Sequence, residues 1–538
     1  LGSPKGEEKA RGRFLDTMSR VFNTAGPCRP TKHYMLPPEG RLPGVRRLID
    51  EEHYFVVHAP RQMGKTTYFQ ALTEALRREG RYTVLLTSCE AGQAAGEDME
   101  VALAALLETV LQDARLQLTP EQRPPEPDPT LSAATRLRDL LIRWSQRSPL
   151  PVVLFLDEID SLVDSALLSV LRQLRSGYGE RPRNFPQSVA LIGLRDVRDY
   201  RVHLRPEISS MGTASPFNIK VESLTLPYFT APEVAALYLQ HTQETGQEIT
   251  AEAAALAFSL TRGHPWLVNA LARQAVEELA PDPGIPITPE IMEQAKEALI
   301  KRRDTHLDSL IDRLREPRVQ RVIEPILAGE LLAPEVLDDD VEFVMDLGLV
   351  ISDETGLQIA NPIYQEVIPR ALSAILQRSM TVQPKTFLRP DGGLDFDHLL
   401  ADFQAFWLGH AESFLARAPY SEAAAQLVFM GYLQKVVNGG GFIEREYAVG
   451  SGRVDLCIRW PRPQGIERWA VELKVWRDGR PDPLPKGLDQ LAGYLARLQL
   501  DEGTLLLFDA RATAPPLPQR QAQEEHTVEG RRIAVIRL

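Results

Sequence analysis

The stretch FVVHAPRQMGKTTYFQAL constrains this chain more than any other. An apolar run from Tyr54 to His58 gives way to a short loop holding Pro60, Arg61, Gln62, Met63 and Gly64, and then to an amphipathic segment opening at Lys65. A strand that passes into a helix through such a loop brings backbone N–H groups and a positive helix terminus to one point, which is what gripping phosphate requires. The spacing is that of GxxxxGKT, with Ala59 in place of the first glycine, a change of one methyl. On this reading residues Pro60 to Thr67 bind a nucleoside triphosphate: the loop wraps the phosphates, Lys65 reaches the terminal ones, and the Thr66 hydroxyl ligates Mg²⁺.

Downstream, VVLFLDEID is a second apolar strand, delivering Asp157 and Glu158 at its carboxyl end. Asp157 is suited to the Mg²⁺ shell, and Glu158 to orienting or deprotonating an attacking water. The pairing predicts ATP as ligand and Mg²⁺ as its cofactor. A third strand, SVALIGLRD, ends at Arg195, either a phosphate sensor or a solvated strand end; Arg198, Arg201 and Arg205 follow as candidate fingers toward a neighbouring subunit, so a homo-oligomer is expected. Strands at Tyr54 to His58, Tyr82 to Thr87, Val152 to Leu156, Val189 to Gly193 and Asn218 to Leu226 alternate with helical stretches, the rhythm of a parallel α/β sheet over 51–230. From 231 to 315 helical periodicity takes over, opened by Thr230 as a cap with Pro232 just inside. Residues 1–50 lead into this region.

In 316–380, helices precede LGLVISDETGLQIANP, read as two strands around a turn at Asp353 to Gly356, the pattern of a winged helix. A helical linker, 381–419, leads to a second α/β pattern over 420–538. There Val454, Leu456 and Ile458 alternate with Asp455 and Cys457, and Val471, Leu473 and Val475 alternate with Glu472 and Lys474. Both strands are expected to bury one face and present acids on the other. With PRPQG at 461–465 as the connecting loop, Asp455 and Glu472 come side by side, a hard-oxygen pair for Mg²⁺, or alternatively Mn²⁺. Such a metal stabilises charge on a phosphodiester while Lys474 positions or activates water. Residues 510–523 are read as loop, and Arg532 to Arg537 as the last strand.

The segments FNTAGPCRPTKHYMLPPEGR, HAPRQMGKTT, LFLDEID, LIGLRDVRDY, SPFNIKVESLTL and GHPWLVNALA together resemble a group of bacterial AAA-like ATPases related to the STAND and origin-recognition branches. The resemblance covers roughly the first 300 residues and implies a P-loop NTPase sheet, Tyr34 near the adenine, a helical lid and a following winged helix. GRVD followed by VELK, with Gln490 and Tyr494 on the next helix, resembles the PD-(D/E)XK restriction-endonuclease-like superfamily from Tyr420 to Leu538. That likeness implies Glu422 as an additional catalytic acid and Gln490 lining the site.

The formal charge of −12 excludes a uniformly basic coat, so any DNA contact must be local. The three cysteines, Cys28, Cys89 and Cys457, form no metal or disulfide pattern and read as small hydrophobes. Without an apolar run long enough to span a bilayer, the chain is expected to be cytoplasmic and not membrane-bound. The leading expectation is a multidomain α/β protein in which ATP controls a Mg²⁺-dependent DNA nuclease, in defence against foreign DNA or in repair. The alternatives are a STAND-like switch that oligomerises on ATP, and a DNA-remodelling ATPase with an inactive nuclease-derived domain.

Overall fold

The computed structural model describes residues 20–194, 220–302, 305–327, 338–353, 356–379, 387–415, 423–437, 442–446, 455–462 and 465–538. They divide into two compact units, 1–299 with 346–348, and 300–345 with 349–538.

The first unit is built on β1 (Tyr54–His58), β2 (Thr83–Ser88), β3 (Val152–Asp157), β4 (Ser188–Gly193) and β5 (Lys220–Thr225). All pairings are parallel and the order is β2-β3-β4-β1-β5, so every carboxyl end lies at one edge. Strand alternation explains the layers. Tyr54 and Val56 face a core with α3 (Met99–Gln117), α4 (Ala133–Arg147) and α5 (Asp164–Gly177), whereas Phe55 and Val57 face one with α1 (Gly44–Asp50) and α2 (Lys65–Glu79). β3 and β4 are buried throughout, as central parallel strands covered on both faces must be.

Four helices follow: α6 (Ala231–Thr245), α7 (Ala251–Thr261), α8 (Pro265–Arg273) and α9 (Pro289–Arg302). α6 opens with a capping box between Thr230 and Glu233, Pro232 sits in its first turn, and Gly246 in the left-handed region closes it. The segment before β1 lies against these helices. Phe22 and Tyr34 pack with Tyr238 and His241 of α6.

The second unit begins with α10 (Thr305–Arg313), α11 (Pro317–Leu327) and α12 (Asp339–Asp346), then a hairpin of β6 (Val350–Asp353) and β7 (Gly356–Ile359), and α13 (Pro362–Ser379). α14 (Phe396–Leu415) and α15 (Ala424–Val437) lead into a six-stranded mixed sheet: β8 (Phe442–Glu446), β9 (Asp455–Arg462), β10 (Gly465–Trp476), β11 (Glu502–Asp509), β12 (Ala522–Val528) and β13 (Arg531–Arg537). Its order is β12-β13-β11-β10-β9-β8. One face is covered by α16 (Leu484–Leu498). The other meets α14, where Phe396 stacks on Trp469 and Trp407 packs on Phe508.

Two expectations need correction. Strand pairing runs on to Arg462 and Gly465, so Pro461 and Arg462 belong to β9, and Arg462 pairs with Glu467 across the hairpin at 2.6 Å. Residues 510–523 were expected to be loop, yet Leu517–Arg520 is a short helical turn and β12 pairs antiparallel with β13. β12 is an edge strand of polar residues, Gln523, Glu524, Glu525 and His526 among them, so it lacks the apolar alternation that marks a strand. Among the described residues no helix is long and apolar enough to cross a membrane.

Candidate functional site

At the carboxyl edge of the first sheet, Ala59 is fully buried and its N–H reaches the Gly193 carbonyl at 3.3 Å. The extra methyl is thereby absorbed into the core. The turn is made by Gln62 and Gly64 at positive φ, 60° and 88°, and α2 starts at Lys65. Met63 is packed in the core, while Arg61 and Gln62 are exposed and Pro60 is half-buried. The Lys65 ammonium donates to the carbonyls of Ala59 and Pro60 at 2.6 and 2.9 Å. Burial pushes its pKa down to about 8, against the pull of Asp160 and Asp157.

Thr66 donates its hydroxyl to Asp157 Oδ2 at 2.7 Å, and Asp157 Oδ1 accepts the Glu158 N–H at 2.9 Å. Burial raises the Asp157 pKa, a cost these two hydrogen bonds partly offset. A buried carboxylate touching a hydroxyl is a hard-oxygen donor set that fits Mg²⁺. Glu158 occupies the left-handed region, φ 54° and ψ 42°, which is unusual for a residue with a Cβ. Its carboxylate accepts from Ser88 at 2.9 Å, and burial raises its pKa.

Ser88 was missed by sequence reasoning. It pairs in register with Asp157 at the end of β2, a neighbour relation that only the sheet order reveals. Asp160, which accepts from the Leu194 N–H at 3.2 Å, was missed as well. Tyr34 lies 1% exposed in the aromatic group beside α6. Thr67 accepts from the Cys28 N–H at 3.0 Å. Arg195, Arg198, Arg201 and Arg205 lie outside the described residues.

In the second unit, Asp455 and Glu472 are direct partners across β9 and β10, and Cys457 pairs with Ala470. Alternation puts Asp455, Cys457, Ala470, Glu472 and Lys474 on one face. That face is not the open one expected. Glu472 is 0% exposed and Cys457 2%, because α16 lies over it, with Leu491, Tyr494 and Leu495 in one core with Cys457 and Ala470. β10 is an interior strand with a parallel neighbour and helices on both sides, so both faces of its middle are buried.

Lys474 Nζ stands 2.5 Å from Glu472 Oε1. Gly487 lets α16 approach closely: a Cβ there would come within 3.3 Å of Lys474 Cγ and 3.0 Å of Leu505. Gln490 is 5% exposed, and its Oε1 has no hydrogen-bond partner among the described residues. Glu422 lies outside the described residues, and of Asp455 the backbone alone is described. Among the described residues no group of three or more His, Cys, Asp or Glu is gathered to hold a metal ion.

No curated protein matches the chain in sequence. Similar solved structures include a Walker-type ATPase of Pyrococcus abyssi, 14% identical, covering 64% of this chain and 99% of that one with a TM-score of 0.46. A Thermotoga maritima RuvB variant is 16% identical over 61% of this chain and 94% of its own, TM-score 0.34. Cdc6p of Pyrobaculum aerophilum is 13% identical over 67% and 98%, TM-score 0.36. The profile of the AAA-like domain family matches residues 45–366, and with the loop, Thr66, Asp157 and Glu158 gathered at one sheet edge, this chain belongs to that family of P-loop ATPases.

Proposed function

We propose that ATP binding and hydrolysis in the first unit control a divalent-metal-dependent DNA nuclease in the second. The observation that carries the nuclease half is the Glu472 carboxylate, buried to 0% exposure beside Lys474 and level with Asp455 on the adjacent strand. Burying a carboxylate is costly and is tolerated where it is paired or functional. An ordinary strand with charges on its wet face has no reason to do it.

The residues fit a Mg²⁺ or Mn²⁺ ion in chemistry: Asp455 and Glu472 would supply its hard oxygens, with Glu422 as a further acid. When bound, the metal would stabilise developing charge on a phosphodiester and favour a hydroxide-like water. Lys474, held by Glu472 beneath α16, orients that water. The buried Oε1 of Gln490 is left with an acceptor to offer, which suits a polar guest in the same space.

DNA is the proposed substrate. Exposed Asp338 just before α12, with Asp339 and Glu342 on it, disfavours DNA contact through the winged-helix-like module and leaves it to the C-terminal sheet domain. Defence against foreign DNA and DNA repair are the settings that suit this pairing. The test is cleavage of plasmid DNA by the full chain with Mg²⁺ and ATP, compared with Asp455→Asn and Glu472→Gln. Loss of cutting in both supports the assignment, and undiminished cutting in either removes it.

A further inference from the structure

Residues 23–28 form a small hydrogen-bonded bracket. Asn23 Oδ1 accepts from the Ala25 N–H at 3.1 Å, its amide donates to the Gly26 carbonyl at 2.9 Å, and Gly26 sits at φ 65°, where a side chain would be strained. The two ends of the bracket hold different parts of the ATPase. At Thr24, the α8 side chains Trp266 and Arg273 donate to the carbonyl and the hydroxyl oxygen, each at 2.9 Å. At Cys28, the backbone N–H donates to Thr67 Oγ1 at 3.0 Å.

Thr67 lies in the first turn of α2, next to the Thr66 that meets Asp157. A hydroxyl has one proton and two lone pairs. With a lone pair engaged by Cys28, the rotor of Thr67 is restricted and its proton is directed away from the bracket. The geometry points to bracket 23–28 as a positioning element for the nucleotide: α8 holds Thr24, the bracket holds Thr67, and the Thr67 hydroxyl donates to a nucleotide phosphate oxygen. Phosphate binding and seating of α8 on the bracket therefore strengthen each other, and by linkage the effect runs equally in both directions.

The test uses the full chain, ADP with Mg²⁺ as probe, and two variants. Trp266→Phe keeps an aromatic ring in the lid, smaller than the indole, and deletes the N–H to Thr24, and Thr67→Val keeps the shape and deletes the hydroxyl. Each is expected to weaken ADP binding about fivefold, the scale of one neutral hydrogen bond. The double variant should bind no worse than Thr67→Val alone, because the two act through one chain of contacts. ADP should slow amide exchange in residues 20–34 of the wild type and not of Thr67→Val. Additive losses in the double variant, or wild-type ADP affinity in Trp266→Phe, would overturn the proposal. If Trp266→Phe does not fold, Arg273→Met removes the second contact to Thr24 together with the ion pair to Glu277, and Glu277→Gln, which loses that ion pair alone and should bind ADP as the wild type does, is its control.

Discussion

Lys65, Thr66, Asp157 and Glu158 lie far apart in sequence and meet because parallel strands end together. Lys65→Ala should abolish ATP binding, read by titration with a fluorescent ATP analogue; retained binding would refute the loop's role. Glu158→Gln should leave that binding intact and lower turnover by about 10²- to 10³-fold, the scale of a lost general base. Lys65 also sets a pH dependence. Its ammonium has a pKa of about 8 in the free protein, and phosphate oxygens favour the charged form, so the bound state has the higher value. Affinity should be full below that pH and fall as pH rises through it, by at most about tenfold per unit. A flat profile between about pH 7 and 9.5 would contradict this account of the site.

At the scale of elements, the strength of a strand or helix signal decided what could be read from sequence. β1, β3 and β4 are central and apolar, and their residues announce them; β12, a polar edge strand, does not. The register of Asp455 with Glu472 followed from alternation and a hairpin. The burial of their face did not, because it depends on α16 folding back across the sheet, a tertiary event that alternation cannot encode. Ser88 was hidden for a similar reason, since only strand pairing brings it to Glu158. Two stability predictions belong here. Lys474→Met removes the cation beside the buried Glu472 carboxylate and should destabilise the second unit by about 3–5 kcal/mol in denaturant unfolding. A loss below about 1 kcal/mol would mean the pair is not buried as described. Gly263→Ala should also destabilise, because φ is 78° there and a Cβ would collide with the Phe229 carbonyl oxygen; an unchanged melting temperature would contradict that packing.

For the whole molecule, the charge of −12 is spread over two units with different work. Part of it lies in Asp157 and Glu158 at the nucleotide site and, on the proposed function, in Asp455 and Glu472, whose work would be to hold metal rather than to repel a partner. DNA binding should accordingly be weak, local and steeply salt-sensitive. The central claim is that ATP in one unit governs phosphodiester cleavage in the other. It is tested most directly by incubating the full chain with supercoiled and linear DNA and Mg²⁺ or Mn²⁺, with and without ATP, beside Lys65→Ala and Glu472→Gln. The account predicts metal-dependent cutting by the wild type, absent in Glu472→Gln and no longer responsive to ATP in Lys65→Ala. A wild-type chain that cuts neither DNA nor RNA under any nucleotide and metal condition would contradict it.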